Sequence, residues 1–229
     1  VDEPRDAGEA LSGVFRLLFT DGSVHDLFRL ADLCAQLGIP RDQGHELNHP
    51  VVSPSGNQYV VLLRSYQDNR VQTCRLVLGD MEGHARELVS APVVSHYAWL
   101  DNESLMVWME HAGRSGYWSV SVQDSAVQPF FQQMEQPDGH PSFCAKNRRV
   151  VFDEYPGVTR LARLKLASVD DKEVLAVGQF RQPLRYTGAQ RCDLHPRWNE
   201  SCGGVFVDSA HTGTRRLYEI VFGTAADAL

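Results

Sequence analysis

Near the end of the chain, Gln190, Asp193 and His195 fall within six residues, in the run Gln190-Arg-Cys-Asp193-Leu-His195-Pro196-Arg-Trp198. An amide oxygen, a carboxylate and an imidazole so close together could hold a divalent cation. This donor set suits a borderline or hard ion such as manganese, and it favours zinc less because no thiolate accompanies it. Asp193 and His195 are two apart. If the run is extended as it enters a strand, both side chains point to the same side, because strand side chains repeat every two residues. A fourth ligand is expected from another part of the chain, and His96 in Ser95-His96-Tyr-Ala-Trp99 is the candidate.

Those residues need elements to position them. Gln190 to Gly213 reads as a hairpin: the run above, a turn, the strand Val205-Phe-Val-Asp208, then the polar loop Asp208-Ser-Ala-His211-Thr-Gly213. Three weaker copies precede it. They begin at Asn48-His49-Pro, Ser95-His96 and Gly139-His140-Pro. The histidines at 49, 96, 140 and 195 are separated by 47, 44 and 55 residues. Four short strands repeating every 40–50 residues or so are the mark of β-propeller blades. One small twisted sheet cannot bury both faces, and stacking such sheets around an axis does it for all of them. The expected fold is therefore all-β, a β-propeller of four-stranded antiparallel blades in a single domain over 1–229. The blade units are a partial one at 13–47, then 48–94, 95–138, 139–189 and 190–222. The last lacks an outer strand. Four to five blades are visible, and they could belong to a seven-bladed propeller.

At the N-terminal end, Val14 to Phe19 and Val24 to Phe28 flank Asp21-Gly22, a strong hairpin signal. Leucines 27, 30, 33 and 37 carry helical spacing up to Gly38-Ile-Pro40, and 41–47 reads as a loop. In a propeller the innermost strand of each blade lines the central channel. The four histidines then converge on one rim, with 64–66, 153–155 and 208–211 nearby. A His-Pro before an inner strand also serves as plain repeat punctuation, with Pro setting the chain direction and His capping a loop.

Composition narrows the class of protein. The chain has 229 residues, 43% hydrophobic and 22% charged, with a formal net charge of −7. The acidity argues against nucleic acid as a partner, since phosphate binding needs a basic face. No run reaches the ~18 apolar residues of a membrane helix, so no membrane partner is expected. The first residues, Val1-Asp-Glu-Pro-Arg-Asp6, do not read as a signal peptide. Without an initiator Met the chain is expected to be processed or truncated, and the compartment, cytoplasmic or periplasmic, stays open. The five cysteines, 34, 74, 144, 192 and 202, include no C-x-x-C pair. They indicate neither a zinc knot nor a disulfide framework. Cys74 and Cys144 read as buried small hydrophobes, and Cys192 as packing beside the ligands.

The run at 190–196 and the loop at 208–213 resemble the oligogalacturonate lyase family of β-propellers, and more closely its uncharacterised bacterial relatives. That family carries Gln-x-x-His-x-His-Pro before an inner strand and a Ser-Asp-x-His-Gly-like loop. It also has a metal-ligand histidine two blades earlier, where His96 stands here. The similarity spans roughly Phe15 to Phe222; family members usually have seven blades. The resemblance implies His96, Gln190 and His195 as ligands, with Asp193 in place of the family's middle histidine, and manganese as the ion. It implies β-elimination on an acidic, uronate-containing oligosaccharide. Arg64, His49 and His140 are then the catalytic candidates, to clamp the sugar carboxylate or take the proton. Tyr155, Arg191 and His211 are the candidates for substrate contact. The competing expectation is a non-catalytic propeller that binds a glycan or protein on the same rim, because this fold hosts many functions.

Overall fold

The computed structural model describes residues 12–40, 44–131, 136–170 and 173–222. The chain divides into two compact units, Val1–Val94 and Ser95–Leu229.

In the first unit, β1 (Gly13–Leu17) and β2 (Val24–Arg29) form an antiparallel hairpin. Its turn holds Gly22 at φ 74°, a left-handed conformation that glycine adopts without steric cost. Helix α1 (Leu30–Gln36) follows, with Leu30, Leu33 and Cys34 buried. The helix is shorter than the leucine spacing predicts, because Leu27 belongs to β2. Next comes a four-stranded antiparallel sheet in sequential order: β3 (Gly44–Val52), β4 (Gln58–Gln67), β5 (Arg70–Asp80) and β6 (Ala85–Ala91). The loop expected up to Leu47 is instead strand from Gly44, since Gly44 pairs with Tyr66 and Leu47 with Leu63. A bulge interrupts β3 between Asn48 and Val51, where His49 takes φ 54°. Tyr59 to Leu63 of β4 are all buried, as expected of a strand covered on both faces.

The second unit holds three more sheets of the same meander type. The first is β7 (Val94–Trp99), β8 (Ser104–His111), β9 (Arg114–Ser121) and β10 (Val127–Pro129). The second is β11 (Ser142–Cys144), β12 (Arg149–Glu154), β13 (Leu161–Ser168) and β14 (Val174–Arg181). The third is β15 (Arg197–Trp198), β16 (Gly204–Ser209) and β17 (Arg216–Val221), three-stranded among the described residues. Sequential antiparallel sheets of this kind are β-propeller blades, and the fold class is all-β.

Alternation along β12 shows how blades stack. Val150 and Phe152 join a core with Met106, Tyr117, Phe130 and Phe131 of the preceding sheet's segment. Val151, pointing the other way, joins Leu194, Val205 and Val207 of the following one. One strand thus supplies two cores, because successive side chains leave opposite faces of the pleat.

The expectation for the cysteines is corrected at one pair. Cys144, ending β11, and Cys202, in the β15–β16 turn, form a disulfide with Cα atoms 6.4 Å apart. It joins two neighbouring blades that are also tied by Lys146 Nζ to the Glu200 carbonyl (2.6 Å) and Asn147 Nδ2 to the Cys202 carbonyl (3.0 Å). The sequence hides it because the two cysteines are 58 residues apart and follow no spacing motif. Cys34, Cys74 and Cys192 are buried thiols outside the disulfide. Among the described residues no helix is long and apolar enough to cross a membrane.

Candidate metal centre

Three blade openings in the second unit bring three histidines into a stack. The ring centroids of His96 and His140 lie 4.0 Å apart, and those of His140 and His195 lie 3.9 Å apart. Tyr155 sits edge-on to the stack, 5.6 Å from His140 and 6.2 Å from His96. Asp193 completes the cluster: His140, Asp193 and His195 each offer a ligand atom, all within 4.8 Å of one another.

Two aspartates orient the imidazoles. His140 Nδ1 is 3.0 Å from Asp153 Oδ1, and the His140 and His195 backbone N–H groups donate to the two Asp153 oxygens at 2.6 and 3.1 Å. His96 Nδ1 is 3.0 Å from Asp138 Oδ1, and Ser95 Oγ donates to Asp138 Oδ2 at 2.7 Å. A carboxylate only accepts, so each Nδ1 carries a proton, and in the neutral ring Nε2 is the nitrogen with a lone pair for a ligand. Burial alone would raise the Asp153 pKa. The His140 hydrogen bond and charge, with the two backbone donors, outweigh it and hold the carboxyl below the usual range. His195 is lowered, first by desolvation and then by the neighbouring His140, which favours the neutral, ligating ring.

The way 191–196 reaches the site differs from expectation. The segment is not a strand; β15 begins only at Arg197, and His195 takes φ 41°. No ladder fixes alternation here, yet packing imposes it. Cys192 and Leu194 are buried at 5% and 1% exposure, so Asp193 and His195 turn to the cluster between and beyond them. Gly139 makes room on the other side. A Cβ there would stand 1.7 Å from the Asp153 carbonyl oxygen.

Asp193 gives the test of whether a cation fits. Its Oδ1 is buried and accepts no hydrogen bond of good angle. Arg191 Nε stands 2.6 Å away as its ion-pair partner. A carboxylate and two imidazoles with ligand atoms this close fit a divalent ion, for which Arg191 would give up its pairing with Asp193. Two donors on one ion can stand at most about 4.2 Å apart at metal–nitrogen distances near 2.1 Å, so a 4.8 Å limit leaves only small shifts to make.

The remaining candidates are distributed as follows. Gln190 ends a 3-10 turn, Gly188–Gln190, and is exposed; its carbonyl accepts from Arg215. Arg191 lies over the Tyr155 ring, 4.3 Å from its centroid. His211 is held apart by Ser209 Oγ at 2.9 Å and packs on Tyr218, 4.5 Å between centroids. His49 and Arg64 belong to the first unit. There His49 Nδ1 is 2.8 Å from Asn48 Oδ1, and Arg64 of β4 pairs across the ladder with Glu46. Reading the sequence placed 153–155 on the rim but gave Asp153 no role, and it did not single out Asp138. The available signal was position: Asp138 is two residues before His140, and Asp153 is the last buried residue of β12. A second group, Asp80, Glu82 and His84, also has clustered ligand atoms, on the first unit's β5–β6 turn.

No known family profile matches the chain, and no curated protein is similar to it in sequence. Solved structures are similar in shape. The TolB structure from Acinetobacter baumannii aligns over 91% of this chain and 51% of its own, at TM-score 0.50 and 13% identity. The oligogalacturonate lyase of Vibrio parahaemolyticus aligns over 94% and 73%, at TM-score 0.53 and 9% identity. An oligogalacturonate lyase in complex with manganese aligns over 93% and 72%, at TM-score 0.51 and 10% identity. What they share is the β-propeller fold. A puromycin hydrolase matches the propeller as well, over 90% of this chain and 30% of its own, at TM-score 0.60 and 15% identity. The present propeller chain thus spans about half of TolB and under a third of the hydrolase. Identities this low carry the fold and no activity.

Proposed function

We propose that this propeller holds a divalent cation at His140, Asp193 and His195 and uses it to grip the carboxylate of a uronic-acid oligosaccharide, which it cleaves by β-elimination. The observation that carries the reading is the meeting of His140, Asp193 and His195, whose ligand atoms all lie within 4.8 Å of one another, with Asp153 anchoring the His140 ring and the His195 backbone N–H. The manganese complex of a lyase with the same fold supports the choice of ion and reaction.

The cation supplies charge that stabilises the carboxylate-bearing carbon as its proton leaves. His96, at the end of the stack and backed by Asp138, is placed to take that proton on Nε2. Tyr155 is the candidate to protonate the departing glycosidic oxygen. Burial, with Asp138, Asp193 and Asp153 nearby, pushes its phenol well above the ordinary value, so it stays protonated at neutral pH. Arg191 then trades its pairing with Asp193 for the sugar carboxylate. Proton and leaving group account for the carbon–carbon double bond formed, and no oxidant is needed.

The test is metal content by elemental mass spectrometry, followed by ultraviolet absorbance of unsaturated product across several uronates. The expected result is one manganese per chain and absorbance growth that His96→Ala reduces at least a hundredfold. Absence of any metal after incubation with manganese, calcium and zinc would sink the site. A second reading, binding without chemistry, is favoured by the 2.6 Å Arg191–Asp193 pair, which already neutralises the carboxylate. Uronate binding with no absorbance from any substrate would select it.

A further inference from the structure

Segments 181–191 and 210–217 hold Arg181, Arg185, Arg191, Arg215 and Arg216 and not one carboxylate, in a chain whose net charge is −7. Two of these arginines converge on a single ring. Arg185 Cζ lies 5.1 Å and Arg215 Cζ 5.6 Å from the centroid of Tyr186. Among the described residues neither belongs to an ion pair, whereas Arg163, Arg191 and Arg197 each do.

The platform under them is built from main-chain anchors. Arg160 donates from Nε to the Gln182 carbonyl at 2.9 Å, and from Nη2 to the carbonyls of Pro183 and Tyr186 at 2.7 and 3.2 Å. Gln182 Nε2 donates to the Cys192 carbonyl, and Arg215 Nη2 to the carbonyls of Gln190 and Arg191. The Tyr186 platform is therefore tied at both ends to the run that carries Arg191 and Asp193. Two guanidinium groups packed against one aromatic ring keep their charge, and the N–H groups not spent on main-chain carbonyls are donors suited to a carboxylate. Their uncompensated charge in an acidic protein selects an anion, and their link to Arg191 places that anion next to the metal cluster.

We infer that Arg185, Tyr186 and Arg215 form a second, anion-binding subsite, which takes the acid-sugar unit adjoining the one at the histidine cluster. The inference rests on the proposed uronate reading and narrows it: the ligand is an oligosaccharide with at least two neighbouring carboxylates, and a monosaccharide leaves the subsite empty.

Isothermal titration of galacturonate and of its linear trimer, on manganese-loaded and metal-free protein, tests this. In the manganese form the trimer should bind about tenfold tighter than the monomer, or roughly 1.4 kcal/mol, and the gain should shrink as salt is raised. Arg185→Ala should abolish most of the gain while leaving manganese uptake and monomer affinity unchanged. Arg215→Ala should do the same to the gain, and Arg185→Lys should restore part of it. Arg185 is exposed and bonds to none of the ligand run, so a folding defect there is not expected; a thermal melt verifies it. A trimer no tighter than the monomer, or a gain that survives Arg185→Ala, overturns the subsite and leaves the metal reading standing. If manganese is never taken up, Arg185-dependent trimer binding to the metal-free protein still supports the subsite while the metal reading falls. No trimer binding in either form overturns the subsite and the uronate reading together, whatever the manganese content.

Discussion

At the scale of single residues, Asp153 decides whether the cluster exists. It is 1% exposed and holds one imidazole and two backbone N–H groups from two blade openings. Asp153→Ala leaves those donors buried and unpaired, so a loss of about 3–5 kcal/mol is expected in a denaturant titration. Manganese affinity should fall roughly 10–100-fold, the usual effect of removing a group that orients a ligand. Tyr59 makes the opposite case. Its hydroxyl is buried without a hydrogen-bond partner among the described residues, above Gly79, where a Cβ would meet the ring at 2.3 Å. Tyr59→Phe should therefore stabilise the protein by about 1 kcal/mol, or roughly 2–4 °C in Tm. Burial, then Asp80, pushes the Tyr59 phenol up to about 12. The raised value means the folded state keeps a proton that the unfolded chain gives up near 10. Its contribution is whole below about pH 10 and is lost as pH rises towards 12. Tyr59→Phe should flatten that alkaline slope in melts taken at successive pH values.

At the scale of elements, the segment 191–196 shows how packing does the work of a ladder. Leu194, 1% exposed, is seated in the core with Val151, Val205 and Val207, and this seat aims its neighbours Asp193 and His195 at the site. Leu194→Ala should cost about 2–5 kcal/mol. It should also weaken manganese binding although Leu194 touches no ligand, which parallel melting and metal titration would show. Gly139→Ala should be worse, since the added methyl meets a backbone carbonyl that cannot move without shifting β12. The run 190–196 forms no strand before Arg197, for an identifiable reason. His195-Pro196 and the left-handed His195 leave only two residues to pair with β16. Period-2 spacing still pointed to the right faces, because burial of every second residue needs only an extended chain, not a hydrogen-bonded one.

At the scale of the whole molecule, the disulfide is the feature with the most direct consequence. Cys144–Cys202 closes a 58-residue separation between adjacent blades. It should contribute about 2–4 kcal/mol, so reduction or a Cys144→Ser/Cys202→Ser double variant should lower Tm by roughly 5–15 °C. The inner strand β11 runs from the histidine opening at His140 towards this staple at Cys144. Manganese titration of the reduced protein would show how far the staple supports the site; a modest weakening is expected.

The blades were legible in the sequence because they are local. Short apolar strands and Asp-Gly and Ser-Gly turns each report on neighbours a few positions away, and a histidine every 44–55 residues marks where that local pattern repeats. The same repeat marked His96, His140 and His195 as openings of equivalent strands, and the Asp193–His195 spacing marked a pair of donors. Only the tertiary structure decided which histidines meet, that Asp138 and Asp153 orient them, that Gln190 faces solvent, and that Cys144 finds Cys202. Those outcomes depend on contacts between residues tens of positions apart, such as 153 with 195 or 144 with 202. Such contacts exist only once one blade has packed on the next.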